Sequence, residues 1–272
     1  RLIHCSERAV QLMGWEHQAS VEGRLLLELL DATDARLNQA LQRLQSGQES
    51  QNREENAFVR RDGTEIHAEW FNSALTDATG RVTSIMTLVQ DVSARVQMAR
   101  QQHHQANHDA LTGLDNRASF HERLERALAQ ARPPADLLAL LFIDLDGFKR
   151  INDQQGHQAG DEVLRIVAQR LLRTVREGDT VARLGGDEFL VMLDKNVTPL
   201  EPERIGRRII EALNQPMTVG GHDLEIGASI GVAMHPPLPG KLDVLMHRAD
   251  QAMYAAKRAG KGRLFCAQAE GN

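Results

Sequence analysis

The chain has 272 residues, of which 42% are hydrophobic and 25% are charged, the composition of a soluble globular protein long enough for two domains. Its formal net charge is −5, so it offers no broad basic field for a nucleic acid polymer. No apolar run approaches the length of a membrane span, and no signal peptide is visible.

The two cysteines, Cys5 and Cys266, lie near opposite ends of the chain and form no metal-binding or redox motif. Free thiols of this kind are typical of a reducing cytoplasm. Because the chain begins with Arg1, we expect it to have been cut from a longer protein. The predicted location is therefore cytoplasmic, either as a separate protein or as the cytoplasmic part of a longer, membrane-anchored one.

Residues 1–92 predict a small α+β domain. The segment RLIHC (1–5) is expected to form a short strand. Ser6 and Gly14 are placed to begin and to end the helix that follows. Apolar residues at helical spacing predict a second helix over residues 32–47.

From residue 56 the apolar period is two, which predicts three antiparallel strands with turns at residues 62–63 and 77–80. This order of a strand, short helices and a three-stranded meander resembles the PAS sensor fold. The sequence DVS (91–93) resembles the motif that closes many PAS domains. The resemblance covers residues 1–93, and we expect the first strand of the PAS fold to be missing.

The ligand of this sensor stays unknown. A haem in a PAS domain usually needs an axial His on the long helix, and residues 33–48 contain none. The Cys motif of a photoactive flavin site is also absent. The alternatives are a small metabolite and no ligand at all.

Residues 93–108 predict a helical linker, because they are polar, lack Pro and Gly, and follow Ser93 as a candidate cap. Apolar and small residues recur from Val92 to Ala106 at spacings of four and three, as in a heptad seam. A short coiled coil and a solvated single helix are both compatible with this pattern.

Residues 109–272 alternate helices with strands, which predicts a mixed sheet covered by helices. The run DLLALLFIDLD (136–146) is typical of a buried central strand. The segment RLGGDEFLVMLD (183–194) predicts a β-hairpin. Its Gly-Gly turn permits positive φ and the close approach of a ligand.

Carboxylates stand at two turns of this domain. Asp144 ends the predicted central strand, and Asp187 with Glu188 follows the Gly-Gly turn. Buried carboxylates are costly unless they are paired or hold a metal, and oxygen ligands favour Mg²⁺. The alternatives are an acidic strand end that caps the next helix and a solvated hairpin tip.

Asn152 and Asp161 could read the edge of guanine, or they are ordinary polar residues near helix ends.

Six blocks, in the same order, resemble the GGDEF family of diguanylate cyclases and cover essentially all of residues 109–266. They are LTGLDNR (111–117), FIDLDGFKRIND (142–153), GHQAGDEVL (156–164), RLGGDEF (183–189), SIGVA (229–233) and ADQAMYAAKRAGKGR (249–263). The resemblance implies a nucleotidyl-cyclase-like palm fold and an enzyme that joins two GTP into cyclic di-GMP with release of pyrophosphate. Each domain would hold one nucleotide, which implies a homodimer for activity.

Carried onto matching positions, the resemblance implies that Asp144, Asp187 and the Leu145 carbonyl hold two Mg²⁺ (or Mn²⁺) ions. It also implies that Glu188 assists the metal site and that Lys149 neutralises phosphate charge in the transition state. The implied nucleotide contacts are guanine with Asn152 and Asp161, the α-phosphate with Gly185 and Gly186, and the β- and γ-phosphates with Lys257 and Lys261.

Two further charged features have a counterpart in the family. The family often has Arg where Lys261 stands, so we expect altered triphosphate affinity without loss of activity. Arg176 and Asp179 match the RxxD inhibitory site, where the product cyclic di-GMP binds. The alternative is a surface ion pair that contributes little to stability.

The sequence therefore predicts a PAS-like sensor at residues 1–92, a helical linker at 93–108 and a diguanylate cyclase domain at 109–272. A different hypothesis is a catalytically silent, GTP-binding regulatory module for a C-terminal phosphodiesterase domain missing from this chain. A third is a cyclic di-GMP receptor that acts through Arg176 and Asp179.

Overall fold

A computed structural model of the chain describes residues 2–24, 35–60, 62–132, 136–236 and 241–268. The chain divides into two compact units, and the boundary follows residue 102. In the described ranges, no helix combines the length and the apolar character needed to cross a lipid bilayer.

The first unit is a three-stranded antiparallel sheet whose inner face is covered by short helices. Its elements are α1 (Glu7–Leu12), a 3₁₀ turn (Gln18–Ser20), α2 (Ala35–Gln45), β1 (Gln51–Val59), β2 (Glu65–Thr76) and β3 (Val82–Asp91). The strands pair in the order β1-β2-β3. The predicted antiparallel sheet is thus confirmed, with its hairpin turns between β1 and β2 and between β2 and β3.

The strand expected over RLIHC is wrong, because residues 2–5 form no strand. Leu2 donates its N–H to the Arg24 carbonyl at 2.9 Å and accepts the Gly23 N–H at 2.9 Å. Its backbone groups are therefore paired with a nearby turn rather than with the sheet.

The two predicted helices of this unit are present. The hydroxyl of Ser6 accepts the Ala9 N–H at 3.4 Å before α1, and Gly14 follows this helix with a φ of 82°. The helix expected over 32–47 is seen as α2, whereas residues 32–34 lie outside the described ranges. Both helices pack on the sheet in a cluster that includes the buried Trp70.

The predicted linker helix is α3 (Ser93–Asn107). Ser93 is its first helical residue rather than its cap, because the Ser93 hydroxyl accepts the His67 N–H of β2 at 3.0 Å. The Val92 N–H donates to the His67 carbonyl at 2.9 Å. The beginning of α3 is therefore fixed to strand β2.

The second unit is a five-stranded mixed sheet between helices, with a small two-stranded sheet beside it. Its helices are α4 (Arg117–Gln130), α5 (Phe148–Gln155), α6 (His157–Thr174), α7 (Glu201–Leu213) and α8 (Leu242–Arg258). Its strands are β4 (Leu138–Asp146), β5 (Thr180–Gly185), β6 (Glu188–Leu193), β7 (Met217–Val219), β8 (His222–Leu224), β9 (Gly227–His235) and β10 (Leu264–Cys266). The large sheet has the order β10-β9-β4-β6-β5, and only β10 is parallel to its neighbour.

Strand β4 lies at the centre of this sheet and is buried on both faces. Leu141 and Ile143 pack in the cluster formed with α6 and α7, whereas Leu140 and Phe142 pack in the cluster formed with α4 and α8. A strand covered on both faces is apolar at nearly every position. This burial explains why its apolar run predicted a central strand correctly.

Helix α8 crosses β9 in direct backbone contact at Gly231. A Cβ at this position would lie 2.0 Å from the Ala249 carbonyl oxygen and 2.2 Å from the Met253 nitrogen, both in α8. The absence of a side chain therefore lets the helix lie on the strand. This packing carries the last turn of α8, with Lys257, towards the end of β4.

We expect Gly231→Ala to lower the free energy of unfolding of the second unit by at least about 3 kcal/mol, because backbone atoms of α8 cannot move aside singly. Denaturant unfolding followed by circular dichroism measures this change. Gly227→Ala on the same strand is the matched control, since the nearest atom to its Cβ would be 3.4 Å away. Equal stability of the two variants would show that α8 does not rest on β9 at this point.

Candidate active site

The end of β4 lies beside the Gly-Gly hairpin. Asp144 is the register partner of Glu188 in the antiparallel β4–β6 pair, and directly opposed residues share a face of the sheet. The Leu145 N–H donates to the Asp187 carbonyl at 3.2 Å. The structure therefore brings together the four predicted residues of the acidic site, which come from two segments more than forty positions apart.

Asp144 is a buried carboxylate whose charged partner, Lys257, is partly exposed. Asp144 is 7% exposed, and its Oδ2 lies 2.6 Å from Nζ of Lys257 in the last turn of α8. Burial raises the pKa of Asp144 above its ordinary value, and the charges of Asp187 and Asp146 raise it further, while Lys257 opposes them. The site thus holds more negative charge than one ammonium group balances.

The Gly-Gly turn has the conformation that the sequence predicts. Gly185 and Gly186 have φ of 139° and 55°, which side chains disfavour. The Arg183 guanidinium donates to the Gly186 carbonyl from Nε at 3.0 Å and from Nη2 at 2.8 Å. Its Nη1 donates to both carboxylate oxygens of Asp109, at 3.1 and 3.2 Å. Arg183 therefore fixes the turn through its bonds to Gly186 and Asp109, a contact that the sequence does not predict.

The other two predicted lysines are exposed. Lys149 is the second residue of α5, which begins directly after β4 and Gly147. Lys261 lies in the loop after α8 with a φ of 62°, and its N–H donates to the Ala256 carbonyl at 3.2 Å. Both side chains are exposed and free of the core.

Asn152 on α5 lies against the first turn of α6. A Cβ on Gly160 would be 1.9 Å from Oδ1 of Asn152, so the amide of Asn152 fills the space that a side chain at Gly160 would take. Asp161 is the next residue and is exposed. The structure therefore places Asn152 against Gly160, the residue that precedes Asp161 in α6.

Asp146 is a residue of this site that the sequence analysis did not select. Its carboxylate accepts the Ser229 hydroxyl at 2.9 and 3.0 Å and the Gly262 N–H at 2.9 Å. Its only signal in the sequence is the DLD pattern at residues 144–146. In the structure the two carboxylates bind different partners.

Arg176 and Asp179 lie before β5, whereas the Gly-Gly turn ends it, so they stand at the opposite end of that strand. Oδ2 of Asp179 accepts the main-chain N–H of Arg176 at 2.9 Å. The Arg176 guanidinium contacts the buried carboxylate of Glu201 at the start of α7. Burial raises the pKa of Asp179 above its ordinary value, against the opposing effect of Arg176.

The donors beside Asp144 suit a hard divalent cation. Asp144 and Asp187 supply carboxylates and Leu145 a main-chain carbonyl, and Mg²⁺ is usually held by one or two carboxylates with substrate phosphates. Among the described residues, no three or more His, Cys, Asp or Glu side chains form a metal-binding group. Main-chain and ligand oxygens would therefore complete the set. The raised pKa of Asp144 supports this fit, because a cation would relieve the charge that burial and Asp187 disfavour.

Two family models match the chain. The model described as "PAS fold" matches residues 1–92, and the model described as "Diguanylate cyclase, GGDEF domain" matches residues 106–263. The chain belongs to the GGDEF family. The resemblance carried by the six sequence blocks is thereby confirmed, and so is the PAS resemblance of the segment before the GGDEF domain.

Curated relatives of this GGDEF protein include diguanylate cyclase TpbB from Pseudomonas aeruginosa, 46% identical over 160 residues, which are 58% of this chain and 37% of TpbB. The probable diguanylate cyclase DgcE from Escherichia coli is 36% identical over 261 residues, 94% of this chain and 23% of DgcE. The chain thus spans little more than a third of TpbB and under a quarter of DgcE.

Solved structures resemble the GGDEF part of the chain. The GGDEF domain of TpbB is 44% identical with a TM-score of 0.58, covering 59% of this chain and 94% of that one. The coiled coil and GGDEF domain of DgcB from Caulobacter crescentus, in complex with c-di-GMP, is 31% identical with a TM-score of 0.59. That match covers 65% of this chain and 93% of the DgcB chain. The predicted fold class, with its mixed sheet between helices, is confirmed.

Proposed function

We propose that the GGDEF domain of this chain joins two GTP molecules into cyclic di-GMP with release of pyrophosphate. The observation that carries the proposal is the buried Asp144 beside Lys257, with the hairpin residues Asp187 and Glu188 opposite it. A solvated acidic hairpin tip does not account for a buried Asp144 that is paired with Lys257. The names of TpbB and DgcE, as diguanylate cyclase and probable diguanylate cyclase, support the same activity.

We infer that Asp144, Asp187 and the Leu145 carbonyl hold Mg²⁺ (or Mn²⁺) here, with Glu188 beside them on the same face. When bound, two such ions supply activation of a 3′-hydroxyl and neutralisation of the leaving pyrophosphate. The chain itself holds Asp144 in place through Lys257, whose charge keeps this buried carboxyl ionised more readily than burial alone would allow. In this proposal Lys149, the second residue of α5, neutralises phosphate charge in the transition state.

The nucleotide is bound by the surroundings of this acidic site. Asn152 and Asp161 supply the donor and acceptors that guanine, unlike adenine, can satisfy. The Gly185 and Gly186 turn leaves room for the α-phosphate, since no side chain projects there. Lys257 and Lys261 bind the β- and γ-phosphates in this proposal. Catalysis then requires that two such nucleotides are held in line for the attack.

A second GGDEF domain completes the reaction in this proposal, because each domain contributes one GTP and the product contains two. The chain then acts as a homodimer, and α3 between the PAS and GGDEF domains transmits the state of the sensor to the pairing of the two sites. The ligand of the sensor stays unknown. Arg176 and Asp179 form the inhibitory site for cyclic di-GMP, the molecule bound in the DgcB structure.

We expect the chain with GTP and Mg²⁺ to form cyclic di-GMP at a rate steeper than linear in protein concentration, measured by chromatography of the nucleotides. Asp187→Ala and Glu188→Ala are expected to lower the rate at least about a hundredfold, because each removes a carboxylate from the proposed metal site. Glu211→Ala, at an exposed position of α7, is the control with the same charge change. GTP that is bound but unchanged at every protein concentration would favour the silent regulatory module and contradict the proposed activity.

Gly160→Ala is expected to weaken GTP binding about tenfold while the fold is kept, because the new Cβ would collide with the end of the Asn152 side chain, whereas its next neighbour, Cζ of Phe148, is 3.3 Å away and needs to move only slightly. Asn152→Ala should lose a similar factor, and the double variant should lose no more than either. Titration calorimetry with a non-cleavable GTP analogue measures these affinities, and Gln158→Ala on the exposed face of α6 is the control. Additive losses would show that Gly160 does not act through Asn152.

Arg176→Ala should relieve product inhibition, measured as the initial rate at increasing concentrations of added cyclic di-GMP. Glu201→Gln should tighten inhibition about tenfold, because a neutral amide competes less well with phosphate for the Arg176 guanidinium. Glutamine keeps an acceptor for the Thr198 N–H that Glu201 binds at 3.4 Å, so the turn before α7 keeps this hydrogen bond. Glu211→Gln is the matched control on the same helix. Unchanged inhibition in Arg176→Ala would remove the assignment of this site.

A further inference from the structure

Asp146, the last residue of β4, links two strands and a loop at the edge of the proposed site. Both of its carboxylate oxygens lie within 3.0 Å of the Ser229 hydroxyl on the neighbouring strand β9. Ser229 is fully buried, so its hydroxyl donates within the protein rather than to bulk water. The buried Ser229 hydroxyl therefore fixes the orientation of the Asp146 carboxylate.

The position opposite Asp146 on β9 leaves room for this arrangement. Gly227 is the register partner of Asp146, and a Cβ at Gly227 would lie 3.4 Å from Cβ and 3.5 Å from Oδ2 of Asp146. A side chain of one carbon at Gly227 would therefore be in ordinary van der Waals contact with Asp146. The two donors, rather than tight packing against β9, fix the carboxylate.

The third contact of Asp146 is with the loop that carries Lys261. Oδ2 accepts the N–H of Gly262 at 2.9 Å, across 116 positions of sequence. The three loop residues Gly260, Lys261 and Gly262 all have positive φ, at 117°, 62° and 56°. For Lys261, which carries a side chain, this conformation is unfavourable, so it needs fixed contacts on the residues around it.

Three hydrogen bonds supply those contacts, and one of them runs from Nε of Arg263 to the Lys261 carbonyl at 3.1 Å. The other two come from main-chain N–H groups. The Lys261 N–H donates to the Ala256 carbonyl at 3.2 Å, and the next N–H in the chain donates to Asp146. The first bond is local to the end of α8. The second is the contact that orients the loop relative to the end of β4, where Asp144 stands two residues earlier.

We propose that Asp146 is a positioning residue for triphosphate binding: it holds the Gly262 amide and thereby aims Lys261 at the β- and γ-phosphates of the nucleotide. This inference rests on the proposed function, in which Lys261 contacts those phosphates. Asp146 itself does not touch the nucleotide. Its removal should therefore act only on ligands that carry β- and γ-phosphates.

The test compares the binding of α,β-methylene GTP and of GMP, with Mg²⁺ present, by titration calorimetry of the full chain. Asp146→Ala should weaken the GTP analogue about tenfold, as Lys261→Ala does, and should change GMP affinity less than about twofold. The double variant should bind the analogue no more weakly than Lys261→Ala alone, because Asp146 acts through Lys261.

Asp146→Asn is the conservative variant, since its amide oxygen can accept the Gly262 N–H while its NH₂ group donates to the Ser229 oxygen. It should recover most of the affinity lost in Asp146→Ala. Asp153→Ala, an exposed acid on α5, is the control for the change in charge. Thermal unfolding without nucleotide checks that every variant is folded.

Equal losses for the GTP analogue and for GMP, or additive losses in the double variant, would overturn the inference. A Lys261→Ala variant that binds the analogue as tightly as the unchanged chain would remove the role of Lys261 and this inference with it. Cyclic di-GMP formation by the unchanged chain would still support the cyclase in that case. Failure of the inference and failure of the proposed activity are therefore distinguishable.

Discussion

The contact between Lys257 and Asp144 is the interaction on which the site depends. A carboxylate at the end of a strand buried on both faces is unfavourable unless a positive charge lies beside it. That charge comes from the last turn of α8, which reaches Asp144 because the helix lies directly on the backbone of β9 at Gly231. The tight packing of a glycine in the sheet is therefore linked to the charge balance of a carboxylate at its edge.

The Gly-Gly turn needs a second support, because two glycines with positive φ give up much conformational freedom when they are ordered. The guanidinium of Arg183 provides it by binding the Gly186 carbonyl with two of its nitrogens and Asp109 with the third. Asp109 also accepts the N–H and hydroxyl of Thr112 at 2.9 and 2.6 Å, so its carboxylate has little freedom. These bonds lower the pKa of Asp109 against the effect of burial and keep it charged. The turn is thus rigid before any ligand arrives.

Much of this domain could be predicted from sequence because local patterns determine it. An apolar run identified β4, a Gly-Gly step identified the hairpin, and six blocks identified the family. Contacts between distant positions left no such pattern. Asp146 binds Ser229 across 83 positions, and Arg170 binds main-chain carbonyls at the end of α7 that lie more than forty positions away. The RLIHC segment shows the opposite error, since an apolar pattern suggests a strand but cannot supply a partner for its backbone.

The contact between Arg176 and Glu201 changes how the proposed inhibitory site should be understood. A surface arginine would offer its guanidinium to a phosphate without competition, but this one already contacts a carboxylate that is 6% exposed. Glu201 also faces Arg204 at 3.5 Å and accepts the Thr198 N–H, so it keeps partners of its own when Arg176 leaves it. The affinity of the site for an anionic ligand is then a difference between two charge pairs rather than the strength of one. Such a difference can be tuned by the residue at position 201 without touching the RxxD residues themselves.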